Sequence, residues 1–295
     1  MEGTTTAIVV VLSLAASYLA VSAYIASAAA RVRRVPLVFS AELPHEEVSF
    51  PSRTDNLLLR GWYFAAGRDC AIIVNGGEQN RVDPVTGTLD LTADLVAAGY
   101  SVLLFDLRGR GESAGQGSIL PHNDRDVGGA VDLVRLRGHR RVFIVAFSSG
   151  AAVTLALASV ENVTAVVSDS CFASAREAFV RELARRGCPR ALAYLLSPGV
   201  LLMARTVHSL DRIDPEIVVT RVTCPVFFIH GQSDSGVPVD DAYRLFKAAR
   251  NPGNLLWIVP GAEHTQSYRT CRGDYLSRVT GFFAEVSRTS GRRVT

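Results

Sequence analysis

The chain has 295 residues, 48% of them hydrophobic and 20% charged, with a formal net charge of +3. That length and apolar share allow one sizeable core in one or two domains, and charges of both signs at so small a net value give no single-sign field for nucleic acid. Cys70, Cys171, Cys188, Cys224 and Cys271 are odd in number, widely spaced and without a CxxC pair, so they read as free thiols in a reducing compartment rather than a disulfide frame or zinc site.

Between Glu2 and Arg31 there is no charge, and Ala7 to Ala30 is almost wholly apolar. At about 1.5 Å of rise per residue, a helix of that length crosses a hydrocarbon core of about 30 Å. We therefore expect a transmembrane anchor over residues 5–30. The competing readings are a buried helix and a cleaved signal peptide, the latter with "ASAAA" as the small-residue site. Against the latter, the leader lacks a basic n-region and its apolar run exceeds a usual h-region. Arg31, Arg33 and Arg34 follow the run directly, and the positive-inside bias then places the rest of the chain in the cytoplasm. Residues 31–45 read as a juxtamembrane linker and 46–290 as the globular domain.

"EVSFPS" and "NLLLRGWYFAA" predict two antiparallel strands around the polar turn "RTDN". From there short apolar runs alternate with helical stretches. "CAIIVN" precedes a helix over 86–98, "SVLLFD" one over about 124–137, and "VFIVAF" the helix "SGAAVTLALASV". "VTAVVSD" follows, and later "VFFIHG", a helix over about 239–249, "LLWIVP", and an amphipathic helix over about 273–287. Such alternation is what a mostly parallel sheet covered on both faces requires. It breaks once, over about 172–222, where an Arg-rich helical segment leads into the aliphatic "ALAYLLSPGVLLMA". A connection of that length is too long for an ordinary loop, and we expect a helical cap over one end of the sheet.

Ligands of open parallel sheets bind beyond the carboxyl ends of the strands, so the residues just past each apolar run carry the chemistry. They are Asn75-Gly76-Gly77, Asp106, Ser148-Ser149-Gly150, Asp169-Ser170, His230-Gly231 with Asp234, and Pro260 with His264. Ala146-Phe147-Ser148-Ser149-Gly150 has the small-residue spacing of a strand-to-helix elbow that displays one serine hydroxyl. The N–H of Ser149 then lies at a helix start, where an oxyanion is stabilised. The alternative is a helix N-cap in a packing turn. A serine needs a base and the base an orienting acid. His264 and Asp234 stand past the last two strands, in the chain order Ser148, Asp234, His264 that such sheets use. Asp169 is the rival acid, and His230 is expected to brace the Asp234 loop. Gly77 is assigned as second oxyanion donor by position. Asp106 and Arg108 of "DLRGRGES" read as a structural ion pair.

With "AFSSGA", "DLRGRGES", "CPVFFIHGQSDSGVPVDDA" and "PGAEHTQSY" in place, the chain from about residue 46 to 287 resembles an alpha/beta-hydrolase. It is most similar to the serine aminopeptidase-like, membrane-tethered bacterial branch. The resemblance implies an α/β fold with a helical cap, Ser148 as nucleophile, Asp234 as acid, His264 as base, and Ser149 with Gly77 as N–H donors. It implies no metal and no organic cofactor. Two departures stand out: Ala146 replaces the usual elbow glycine, and Asn75 stands where the family commonly has His to orient the oxyanion loop. The expected reaction is hydrolysis of an ester, thioester or amide of a hydrophobic, small-molecule or lipid-like acyl substrate. A membrane-anchored non-catalytic scaffold and an acyltransferase are the alternatives, since the fold hosts many functions.

Overall fold

The computed structural model describes residues 2–38, 41–208 and 214–292. Its strands are β1 (Glu46–Pro51), β2 (Leu58–Phe64), β3 (Cys70–Val74), β4 (Ser101–Phe105), β5 (Val142–Phe147), β6 (Ala165–Asp169), β7 (Val226–Gly231) and β8 (Leu255–Val259). They form an eight-stranded sheet in the order β1-β2-β4-β3-β5-β6-β7-β8. β1 and β2 pair antiparallel around the expected turn, β2 joins β4 antiparallel, and every later pairing is parallel. Every residue of β3 through β7 is buried, whereas β1 alternates. The unbroken apolar runs thus belong to strands covered on both faces, and the alternating one to an antiparallel edge.

The helices are α1 (Glu2–Ala30), α2 (Thr88–Ala97), α3 (Asn123–Leu136), α4 (Ser149–Ala158), α5 (Ala175–Arg185), α6 (Arg190–His208), α7 (Pro215–Val218), α8 (Val239–Ala248), α9 (Ser267–Thr270) and α10 (Arg272–Arg292). One face of the sheet packs on α3, α4 and α8 through Val127, Val131, Leu155 and Leu245. The other packs on α2 and α10 through Leu91, Leu95, Tyr275 and Phe283. The stacking of Phe283 on Phe143 of β5, with centroids 4.2 Å apart, pins α10 over the middle of the sheet.

α5, α6, α7 and a short 3₁₀ turn at Val219–Arg221 fill the interval expected to be a cap. The aliphatic stretch lies within α6, and its inward face meets α1 and α5: Ala26, Val200 and Ala204 form a small cluster with Ile25, Phe179, Leu196 and Met203. Within α1, Gly3–Ala28 is long and apolar enough to cross a membrane. The segment after it is docked rather than free. Arg34 donates to the carbonyls of Gly111 and Gly115, and Asn80 holds the carbonyls of Val35 and Pro36.

The expected Asp106–Arg108 pair does not form. Both side chains are buried, but Asp106 takes Arg81 (Nη2–Oδ2 2.8 Å) and Arg108 takes Asp126 (2.6 Å) and Asp55 (2.8 Å). The two side chains stand two residues apart but are taken by different elements: Arg81 belongs to the loop after β3, Asp126 to α3, and Asp55 to the turn between β1 and β2.

Candidate active site

β5 runs into α4 through Ser148, whose φ of 51° and ψ of −123° lie outside the ordinary regions for a residue with a Cβ. The close approach of α4 to the end of β3 forces this turn. A Cβ on Gly150 would come within 2.6 Å of the Asn75 carbonyl oxygen, and one on Gly76 within 2.5 Å of that of Phe147. Ala146, in place of the usual elbow glycine, is fully buried in the core. Ser170 (φ 56°) and Thr265 (φ 59°) also take positive φ. Three strained non-glycine residues therefore gather at the carboxyl ends of the strands, and strain of this kind persists only where the surroundings enforce it.

His264 stands between Ser148 and Asp234. Its Nε2 is 3.0 Å from Ser148 Oγ and its Nδ1 is 2.7 Å from Asp234 Oδ2. The backbone N–H groups of Gly236 (2.9 Å) and Val237 (2.7 Å) donate to the other carboxylate oxygen, Oδ1. The carboxylate is thereby locked with one oxygen left for the imidazole. His230 lies behind it, its Nε2 3.0 Å from the Val237 carbonyl and 3.4 Å from Asp234 Oδ2. Burial pushes its pKa down, so the neutral ring donates to Val237 and holds the Asp234 loop.

Gly77 and Ser149 also meet, in a way the sequence did not foretell. The Gly77 N–H donates to Ser149 Oγ at 2.7 Å, while its carbonyl accepts Arg110 Nε at 2.9 Å and Nη2 at 2.5 Å. Arg110 is fully buried and burial pushes its pKa down to about 10. As the first residue of α4, Ser149 has an N–H with no carbonyl one turn earlier in the helix to take it. Asn75, standing where the family commonly has histidine, donates its amide to the carbonyls of Asn80 (2.7 Å) and Arg81 (3.2 Å). It therefore tethers the same loop from within.

Asp169, the rival acid, does not reach the imidazole. Its carbonyl accepts the N–H of Ser148 at 2.8 Å, and its Oδ1 accepts the hydroxyls of Ser170 (3.0 Å) and Ser267 (3.1 Å). Ser170 Oγ in turn accepts the N–H of Thr265 at 3.1 Å. One buried residue thus links the Ser148 turn to the His264 loop. Its Oδ2 makes no hydrogen bond, with the Tyr275 hydroxyl near it but outside bonding geometry. Burial pushes the Asp169 pKa from 3.8 up to about 7. The fold therefore holds a proton that the unfolded chain releases between about pH 4 and 7, and stability falls as pH rises through that window. The loss amounts to about 4 kcal/mol above it. Asp169→Asn keeps an acceptor for both serines. It is expected to raise the denaturant midpoint over the parent at pH 8 and to leave it unchanged at pH 4.

The cleft over Ser148 has a volume of about 600 Å³ and is lined by Gly76, Gly77, Phe147, Ser148, His264 and the side chains around Glu78, Thr86 and Glu263. Its apolar side chains are Val85 and Phe147, and among the described residues none of α6 lines it. Among the described residues no cluster of three or more His, Cys, Asp or Glu suits a metal ion.

A strained serine elbow on a mostly parallel sheet, with a histidine and a carboxylate within reach, belongs to a known class. The alpha/beta hydrolase family model matches residues 72–270, and the chain belongs to that family. The uncharacterized protein Rv2307c of Mycobacterium tuberculosis is 32% identical over 223 residues, 71% of this chain and 69% of its own length. YqkD of Bacillus subtilis, also uncharacterized, is 28% identical over 197 residues, with 64% of its length covered. Among solved structures, the Pyrococcus furiosus esterase Pf2001 superposes with a TM-score of 0.72 over 86% of this chain and 98% of its own, at 21% identity. Est1E from Butyrivibrio proteoclasticus, with ferulic acid bound, gives 0.62 at 17% identity over 82% of this chain and all of its own (100%). At these identities the two esterases show the shared fold.

Proposed function

We propose that this chain is a membrane-anchored serine hydrolase that cleaves an ester, thioester or amide through an acyl-enzyme on Ser148. The observation that carries the reading is His264, hydrogen-bonded to Ser148 on one ring nitrogen and to Asp234 on the other. Ser148 Oγ attacks the carbonyl as His264 Nε2 takes its proton, and Asp234 Oδ2 holds the imidazolium. His264 then returns the proton to the leaving group, and a water attacks the acyl-enzyme by the same route. The oxyanion faces the N–H of Ser149 and the Gly77 loop. Ser149 Oγ occupies the place where an oxyanion accepts the Gly77 N–H, so the substrate displaces that hydroxyl.

The substrate proposed is a small-molecule or lipid-like acyl compound reaching the cleft at the membrane surface. Support for its lipid character comes from α1 and not from the cleft, whose lining is largely polar. We place the hydrolase domain on the cytoplasmic side, from the arginines that follow α1.

A fluorophosphonate probe tests the nucleophile: labelling of the full chain is expected, and its complete loss in Ser148→Ala. Labelling that survives the substitution moves the nucleophile elsewhere. The Gly77–Ser149 bond favours a second reading, a non-catalytic scaffold with its oxyanion loop closed on itself. A panel of p-nitrophenyl esters of increasing chain length separates the two, since a scaffold turns over none of them.

A further inference from the structure

α6 contains Pro198, which lacks an N–H and disrupts the helical ladder around it. The carbonyl of Tyr194 loses its partner and accepts the Ser197 hydroxyl at 2.9 Å instead. The next pair, the N–H of Gly199 and the carbonyl of Leu195, is bridged from outside the helix. The Tyr18 hydroxyl of α1 donates to the Leu195 carbonyl at 2.9 Å and accepts the Gly199 N–H at 3.0 Å. The approach depends on Gly199, where a Cβ would come within 2.4 Å of Ser22 Oγ and 2.6 Å of the Tyr18 ring. From that stitch the helices run side by side to Ala26 and Ala204. A removable leader has no need to complete another helix's hydrogen bonds.

The outward face of α6 is apolar as well. Leu192, Leu195 and Leu202 are 44%, 66% and 48% exposed, and residues 191–204 carry no charge between Arg190 and Arg205. Their spacing puts the three leucines on one face. Length then says what covers that face. Gly3–Ser17, the part of α1 ahead of the stitch, is about 22 Å of helix, short of the hydrocarbon core of about 30 Å. α1 spans the core only when the turns that grip Leu195 and Gly199 lie within it too.

We propose that α6 is a second membrane element, its Leu192–Leu195–Leu202 face set against lipid acyl chains beside α1. The inference rests on α1 being the retained anchor. In that setting a bare backbone N–H and carbonyl at the Pro198 break have no water to turn to, and Tyr18 satisfies both. The docked segment after α1, held by Arg34 and Asn80, keeps the hydrolase domain against the same surface.

The test uses the full chain in vesicles of phosphatidylcholine and phosphatidylglycerol. Cys188 and Cys271 are replaced by serine, since the other three cysteines are buried. A single cysteine is then placed at Leu195, Leu202 or, as a control on α3, Leu136, which is 86% exposed, and labelled with an environment-sensitive fluorophore. Flotation with the vesicles after alkaline wash reports the anchor. Quenching by nitroxide-bearing phosphatidylcholine reports lipid contact at the label. The expected result is that all three float, that labels at 195 and 202 lose most of their emission, and that the label at 136 keeps its own. Tyr18→Phe is expected to float still but to lose part of the quenching at 195. A chain that floats while its label at 195 is quenched by aqueous iodide and not by lipid nitroxide overturns the inference and leaves the anchor standing. A chain that does not float overturns the anchor, and the inference with it.

Discussion

His264→Ala is expected to lower kcat for a p-nitrophenyl ester by about 10⁴- to 10⁶-fold, the range in which a serine enzyme loses its base. His264 is the group within hydrogen-bonding distance of both Ser148 Oγ and Asp234 Oδ2. Without it the serine proton has no acceptor and the developing charge no counterpart. His230→Ala supplies the contrast. Its ring lies 3.4 Å from the same carboxylate oxygen, but its hydrogen bond goes to the Val237 carbonyl at 3.0 Å and it is fully buried. Its loss is expected to lower the unfolding midpoint and to reduce kcat by less than about 100-fold, through a loosened Asp234 loop. Stopped-flow turnover and thermal unfolding on both variants separate the roles. Equal losses of kcat would mean that His264 is not the base.

The contrast between these two histidines shows what was legible in the chain. Parallel strands end on a common rim, so a residue just past an apolar run declares its place without any knowledge of packing. Ser148, Asp234 and His264 could be gathered on that logic, and the structure brings them together. Direction around the rim is another matter. Asp106 and Arg108 are two apart in one motif, yet their buried partners lie 25 residues back and 18 residues on. Pairing of that kind is decided by how the loops fold over one another, which no local period encodes. The aliphatic run in α6 is similar: its composition does not say which face is covered, and only the packing of Tyr18 at the Pro198 break shows that α1 covers the inward one. Asp169 was weighed as a catalytic acid because it stands at the right strand end. Its actual place, buried under Ser170 and Ser267, became visible only with the turns that follow β6 and β8.

Asp106→Ala is expected to destabilise the fold by about 3–5 kcal/mol, the cost of leaving a buried charge without its counterpart. Asp106 and Arg81 are both fully buried. The carboxylate accepts the Arg81 backbone N–H at 2.5 Å, its Nε at 3.1 Å and its Nη2 at 2.8 Å, and the Glu112 N–H at 2.9 Å. What remains for the guanidinium is Glu112, whose side chain is 54% exposed, Glu47 at 3.8 Å, and the face of Trp62 at 4.7 Å. Those partners are screened by solvent or weak. Removing both charges relieves the imbalance, so Arg81→Met combined with Asp106→Ala is expected to recover more than half of the loss. Urea midpoints at constant m-value make the comparison. Activity is expected to respond differently. Arg81 closes the loop that carries Gly77, and both the single and the double variant lose the Asp106 tie to its backbone. The double variant should therefore regain stability while its kcat stays low. Recovery of kcat along with stability would show that the Asp106 tie is not what positions the Gly77 loop.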